Sequence, residues 1–151
     1  MKNCNTTRHL ATLMLFGVLS LSSVMAYGQE KPYIEGSVWY ISMIRVKPGM
    51  IDVYMRDVLP LRKKVDEEAK KQGLLLSSHI LYGLASGRDD FDVMFLFEYK
   101  NWAAFDGFTT KYDAILNKVV GTEEKRVELM SKRTDVREIL GLKAMQELII
   151  K

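Results

Sequence analysis

The chain is poor in the residues that make small proteins rigid by covalent or metal cross-links. Its 151 residues include one cysteine, Cys4. That excludes a disulfide within the chain and a cysteine-built metal cluster. Two histidines, His9 and His79, leave no His-rich metal signature. Three prolines and ten glycines exclude collagen-like and Pro/Gly-rich low-complexity classes. No glycine-rich phosphate loop, serine nucleophile elbow or zinc-protease motif occurs. No repeat recurs at a solenoid period. What is present is ordinary globular chemistry, with 48% hydrophobic and 27% charged residues. That balance argues against disorder.

The first 28 residues read as a secretory signal. Lys2 and Arg8 precede an apolar run from Leu10 to about Val24, which ends in small residues at Ser20, Ser22, Ser23 and Ala26. This charged, apolar, small-residue order is what signal peptidases read, and it predicts cleavage near Gly28–Gln29 or after Ala26. The competing reading is a retained anchor, but the run is shorter than the roughly 20 residues a spanning helix needs. Cys4 precedes the run, where a lipid-bearing cysteine would follow it. Cleavage removes Cys4, His9, Lys2 and Arg8, so 20 basic residues face 19 acidic ones and the net charge falls from +3 to +1. Such a chain has no global field for nucleic acid. The expected location is secreted or periplasmic, with no membrane attachment after cleavage.

Residues 29–36 read as a flexible lead and 37–150 as one domain. Val38–Val46 is rich in β-branched and aromatic residues, as strands are, and Lys47-Pro48-Gly49 stops it. Over residues 50–72, Ile51, Tyr54, Val58, Leu61, Val65 and Ala69 form one helical stripe. Arg62, Lys63, Asp66, Glu67, Lys70 and Lys71 are expected on the solvated side. Pro60 predicts a kink near Leu59–Pro60 or two shorter helices. Leu74–Leu84 and Asp92–Tyr99 predict a strand pair joined by a hairpin turn. Asn101 and Thr122 stand where two further helices would be capped, the second running to about Lys132, with residues 133–141 ambiguous and open to continuing the helix to Leu140. Leu142–Ile150 reads as a last strand. The order is β-α-β-β-α-(α)-β, an α+β, ferredoxin-like arrangement.

A first strand ending Val46-Lys47-Pro48-Gly49 before an amphipathic helix resembles the dimeric α/β-barrel superfamily. So does a third strand running into Glu98-Tyr99-Lys100-Asn101-Trp102-Ala103-Ala104-Phe105. Antibiotic-biosynthesis monooxygenase-like domains, NIPSNAP-like domains and haem-degrading oxygenases share this plan. The resemblance implies a four-stranded antiparallel sheet with helices on one face. It implies that a second copy packs on the open face as a homodimeric barrel. Trp39, Ile41, Met43, Met94 and Leu96 would otherwise make an apolar patch that monomers rarely expose.

The resemblance also implies a ligand pocket between sheet and helices. Strand alternation puts Val38, Tyr40, Ser42 and Ile44 on the side of Val46. The pocket candidates are Tyr40, Ser42, Tyr54, His79 and Tyr99. Tyr99 matches the pocket aromatic of the haem-degrading relatives. Ser42 stands where those relatives carry an amide, and no histidine occurs near Thr109–Lys111, where their axial ligand belongs. No cofactor and no metal is therefore expected. Each tyrosine also has a packing role open to it, and His79 a plain strand role. Asp89-Asp90-Phe91-Asp92 lacks the EF-hand pattern and reads as a solvated turn. The expected function is a homodimeric module that binds a small apolar or aromatic ligand or serves structurally. The alternative is a cofactor-independent monooxygenase- or isomerase-like enzyme acting on an aromatic or polyketide-like molecule.

Overall fold

In the computed structural model, which describes residues 30–151, the chain runs β1 (Tyr33–Val46), α1 (51–71), β2 (Ser77–Tyr82), β3 (Val93–Tyr99), a 3₁₀ turn (Trp102–Phe105), α2 (Phe108–Val120), α3 (Glu123–Val136) and β4 (Arg137–Ile150). The signal expected over residues 1–28 lies outside the described residues. The four strands form one antiparallel sheet in the order β2-β3-β1-β4. This is the expected α+β, ferredoxin-like order.

Alternation decides which side the helices take. Val93, Phe95, Phe97 and Tyr99 are buried on one face of β3, and Val38, Ser42, Ile44 and Val46 on the same face of β1. Tyr54, Val58, Val65 and Ala69 of α1 and Ile115 of α2 complete this core. Burying each such side chain contributes roughly 1.5–3 kcal/mol. The residues in between, Trp39, Ile41, Met43, Met94 and Leu96, belong to no part of that core. They point to the other face, where neighbouring strands leave them half-buried.

Several local features differ from the sequence expectation, among them the last strand, which starts at Arg137 directly after α3 and not at Leu142. Pro60 has no amide hydrogen, and its ring crowds the preceding turn. The chain answers by widening the turn ahead of it, so the interruption falls just before the expected Leu59–Pro60 position. Tyr54–Val58 winds as a π turn in which the Leu59 amide donates to the Tyr54 carbonyl. One extra residue in a turn rotates the later part of the helix by roughly 100°. That rotation brings Arg62 and Asp66 inward beside Val65 and Ala69, with side chains only 19% and 4% exposed. The solvated-face reading holds for Lys63 and Glu67, and is corrected for Arg62 and Asp66.

β1 begins at Tyr33, so half of the expected lead is strand. Its partner is the apolar chain end, with Tyr33 opposite Ile150 and Ile34 opposite Ile149. After β3, Asn101 gives no side-chain cap; its carbonyl accepts the Ala104 amide at 3.1 Å and starts the 3₁₀ turn. Gly107, at φ +63°, then redirects the backbone into α2. Thr122 occupies the N-cap of α3 through its backbone, accepting the Arg126 amide at 3.1 Å, and its hydroxyl turns to Glu124. The acidic turn is structural: Asp90 accepts from the Ser86 amide and hydroxyl, both at 2.8 Å, and Asp92 from the Val46 amide at 3.0 Å.

Candidate functional site

The core between sheet and helices is more polar than an apolar stripe would make it. Arg62 lies over the Phe97 ring, its guanidinium carbon 4.2 Å from the centroid. One nitrogen meets Asp66 at 2.5 Å, and another donates to the Tyr112 hydroxyl at 3.0 Å. Its Nε is buried without a partner. Burial raises the Asp66 carboxyl above its usual range, and the Arg62 charge only partly opposes this. A cation stacked on aromatics and joined to a carboxylate is the stable way to keep such a charge inside.

Aromatic rings connect this pair to the sheet. Tyr99 contacts Phe105 at 4.7 Å and Phe108 at 5.8 Å between centroids, and Phe108 stacks on Tyr112 at 5.4 Å. Burial pushes the Tyr99 phenol well above its ordinary value. Tyr54 is fully buried, and burial raises it too, although Arg137 donates to its hydroxyl at 3.2 Å. Both phenols therefore stay protonated, as donors and not as bases.

Of the five sequence candidates, Tyr40, Ser42, Tyr54 and Tyr99 share the helix-covered side. Ser42 and Tyr54 are buried there, and Tyr40 packs against the core. His79 does not join them. It pairs with Leu96 and stacks on Trp39 at 6.2 Å, on the open face. The sheet itself separates it from the four others. Its register follows from the hairpin, in which the Gly83 amide meets the Asp92 carbonyl at 2.9 Å.

Residues that carry no motif in the sequence hold the remaining chemistry. A cavity of about 420 Å³ opens between α1, α2 and α3, with Leu61, Leu116, Val127 and Met130 as walls and Tyr112, Asp113, Glu123, Arg126 and Arg133 as polar lining. A smaller one of about 190 Å³ shares Leu61, Leu129 and Arg133 with it. Arg126 is neutralised, reaching Asp113 at 2.8 Å and Glu123 at 3.1 Å. Arg133, two turns further along α3, has no hydrogen bond or ion pair from its side chain among the described residues. Burial and the charges of Arg137 and Arg62 lower its hold on its proton. The available signal is the spacing Arg126, Met130 and Arg133, which puts two cations on one stripe of a helix. Among the described residues no three His, Cys, Asp or Glu side chains gather as a metal site, and no helix is long and apolar enough to cross a membrane.

No family profile matches the chain, and no curated protein matches it in sequence. Solved structures do share similarity with it. HapK from Hahella chejuensis aligns at 10% identity with a TM-score of 0.41, over 73% of this chain and 91% of that one. A dimeric ferredoxin-like protein from an uncultured marine organism aligns at 15% identity and 0.46, over 78% and 98%. A dimeric protein of unknown function with a ferredoxin-like fold from Bacteroides fragilis aligns at 10% and 0.42, over 79% and 100%.

Proposed function

We propose that this protein is an exported, homodimeric small-ligand-binding module of the dimeric α/β-barrel type. The observation that carries the binding reading is the cavity between the three helices. Its volume, apolar walls and few convergent polar groups are those of a small-molecule site. Within it Asp113 and Glu123 are engaged by Arg126, which leaves Tyr112 and Arg133 as the groups that can meet a ligand. Protein purified from its own cells and extracted for mass spectrometry should release a small molecule. Empty protein whose melting temperature no small apolar compound raises would remove the reading.

The partner is a second copy. Trp39, Ile41, Met43, Met94 and Leu96 form a continuous apolar face, and Leu81 and Met145 beside them are 53% and 54% exposed. The face also carries both signs of charge, Lys143 on β4 and Glu98 on β3, so a two-fold copy can set unlike charges opposite each other. Sedimentation should give twice the chain mass. Leu81→Glu places its charge where a single chain already meets water, so it should yield folded monomers. A wild-type protein that sediments as one chain at high concentration would exclude the dimer. Export is read from residues 1–28, and intact mass of the exported protein should begin near Gln29.

A further inference from the structure

We infer that the three-helix cavity takes an anion with an apolar body, a carboxylate on a short aliphatic or aromatic skeleton, with Arg133 as the residue that holds its head. This deepens the binding reading above and rests on it. Two arginines on one helix face differ in how their charge is met. Arg126 and Arg133 lie seven residues apart and both line the cavity. Arg126 spends its guanidinium on Asp113, Glu123 and Asn117. Arg133 has no such partner among the described residues: Arg137 and Arg62 crowd it with like charge, and the Asp66 carboxylate acts on it only from beyond ion-pair distance. Partly buried guanidinium groups are normally paired, and one that faces a cavity without a protein anion can take an anion from outside.

Tyr112 supplies a second contact. Its hydroxyl accepts from Arg62 at 3.0 Å, which leaves its own proton free to donate. Tyr112 lines the same cavity as Arg133. A donor whose oxygen already accepts from a cation donates more strongly. Arg133 and Tyr112 together offer the planar donors that suit a carboxylate, and Leu61, Leu116, Val127 and Met130 take the carbon skeleton. Val127 and Met130 are 58% and 64% exposed, so they form the mouth through which the skeleton enters.

The test is titration calorimetry of the purified full protein with octanoate and, separately, with octanol. Octanoate should bind, and octanol, with the same chain and no charge, about tenfold more weakly or worse. Arg133→Gln should weaken octanoate by about tenfold and leave octanol unchanged. Lys125→Gln removes an equal charge from the exposed side of α3 and should change neither. Should Arg133→Gln fail to fold, Tyr112→Phe, which keeps the ring, should still weaken octanoate selectively. Equal binding of octanoate and octanol, or octanoate binding untouched by both cavity variants, overturns the anion site while the binding-module reading stands. If neither compound binds, and the protein from its own cells is also empty, both readings fall.

Discussion

Arg62 is held on three sides, by the Phe97 ring, the Asp66 carboxylate and the Tyr112 hydroxyl. Arg62→Leu would leave Asp66 buried without its cation, and breaking a buried pair this way costs about 3–5 kcal/mol. Urea denaturation should show that loss. The double variant Arg62→Leu/Asp66→Leu should recover much of it, because no charge is then left inside. The phenols give a pH prediction. Tyr54 and Tyr99 are raised in the folded chain above the ordinary 10.0. Their contribution is complete below pH 10 and is lost as the pH climbs through the raised values, because only the unfolded chain ionises there. Tyrosinate absorbance should rise in two stages, the second coinciding with unfolding. Tyr54→Phe should shift that unfolding to higher pH. A single stage with every tyrosine ionising before unfolding would contradict both burials. At this scale the sequence revealed Tyr40, Ser42, Tyr54 and Tyr99, because strand alternation and a helical stripe fix which way they face. It concealed Arg62 and Arg133, because a lone cation in a charged helix looks the same whether it faces water or a ring.

At the scale of elements, composition and periodicity located the centre of every strand and the first helix, but missed that β4 starts at Arg137 and not at Leu142, and failed where backbone geometry changes step. The apolar spacing of residues 51–69 is that of an unbroken α-helix, and the widened turn ahead of Pro60 shifts its later face toward Arg62. No side-chain pattern encodes that turn; it follows from a missing donor. The break between the 3₁₀ turn and α2 has a similar origin. Gly107 sits at φ +63°, where a side chain is strained, and nothing lies within 4 Å of the place its Cβ would occupy. Gly107→Ala should therefore cost about 1 kcal/mol through backbone strain alone. Thermal melting should register the loss with ligand binding unchanged. A neutral outcome would mean that the turn relaxes to another conformation. α3 is only half legible, because the side it turns to the cavity mixes Arg126 and Arg133 with Val127 and Met130, which stay exposed at the cavity mouth.

At the scale of the whole molecule, the sheet has two unequal edges. β2 is six residues long, whereas β4 offers an edge of fourteen that no other strand pairs among the described residues. Ile139, Leu142, Leu148, Ile149 and Ile150 on it are about half-exposed or more. Such an edge invites pairing with another chain unless something covers it. Leu148→Lys should leave the melting temperature nearly unchanged and raise solubility on concentration, as light scattering would report. Increased aggregation instead would show that Leu148 is covered in the assembled protein. The ferredoxin-like order was legible because each strand announces itself in composition. The edge position of β4 was not, because a strand's neighbours are absent from its own residues.

The pairing of β4 with β1 shifts register twice, between Glu35 and Val38 and between Met43 and Ile44. Between those two irregularities Met43 reaches over Gly141, so close that a methyl group there would stand 2.8 Å from its terminal carbon. The strand is thus keyed at both ends, like a notched rail that accepts only one seating. Sliding by a residue would swap Met145 for Ala144 opposite Trp39 and break both notches at once. Whatever meets this edge from outside therefore encounters a template with one fixed phase.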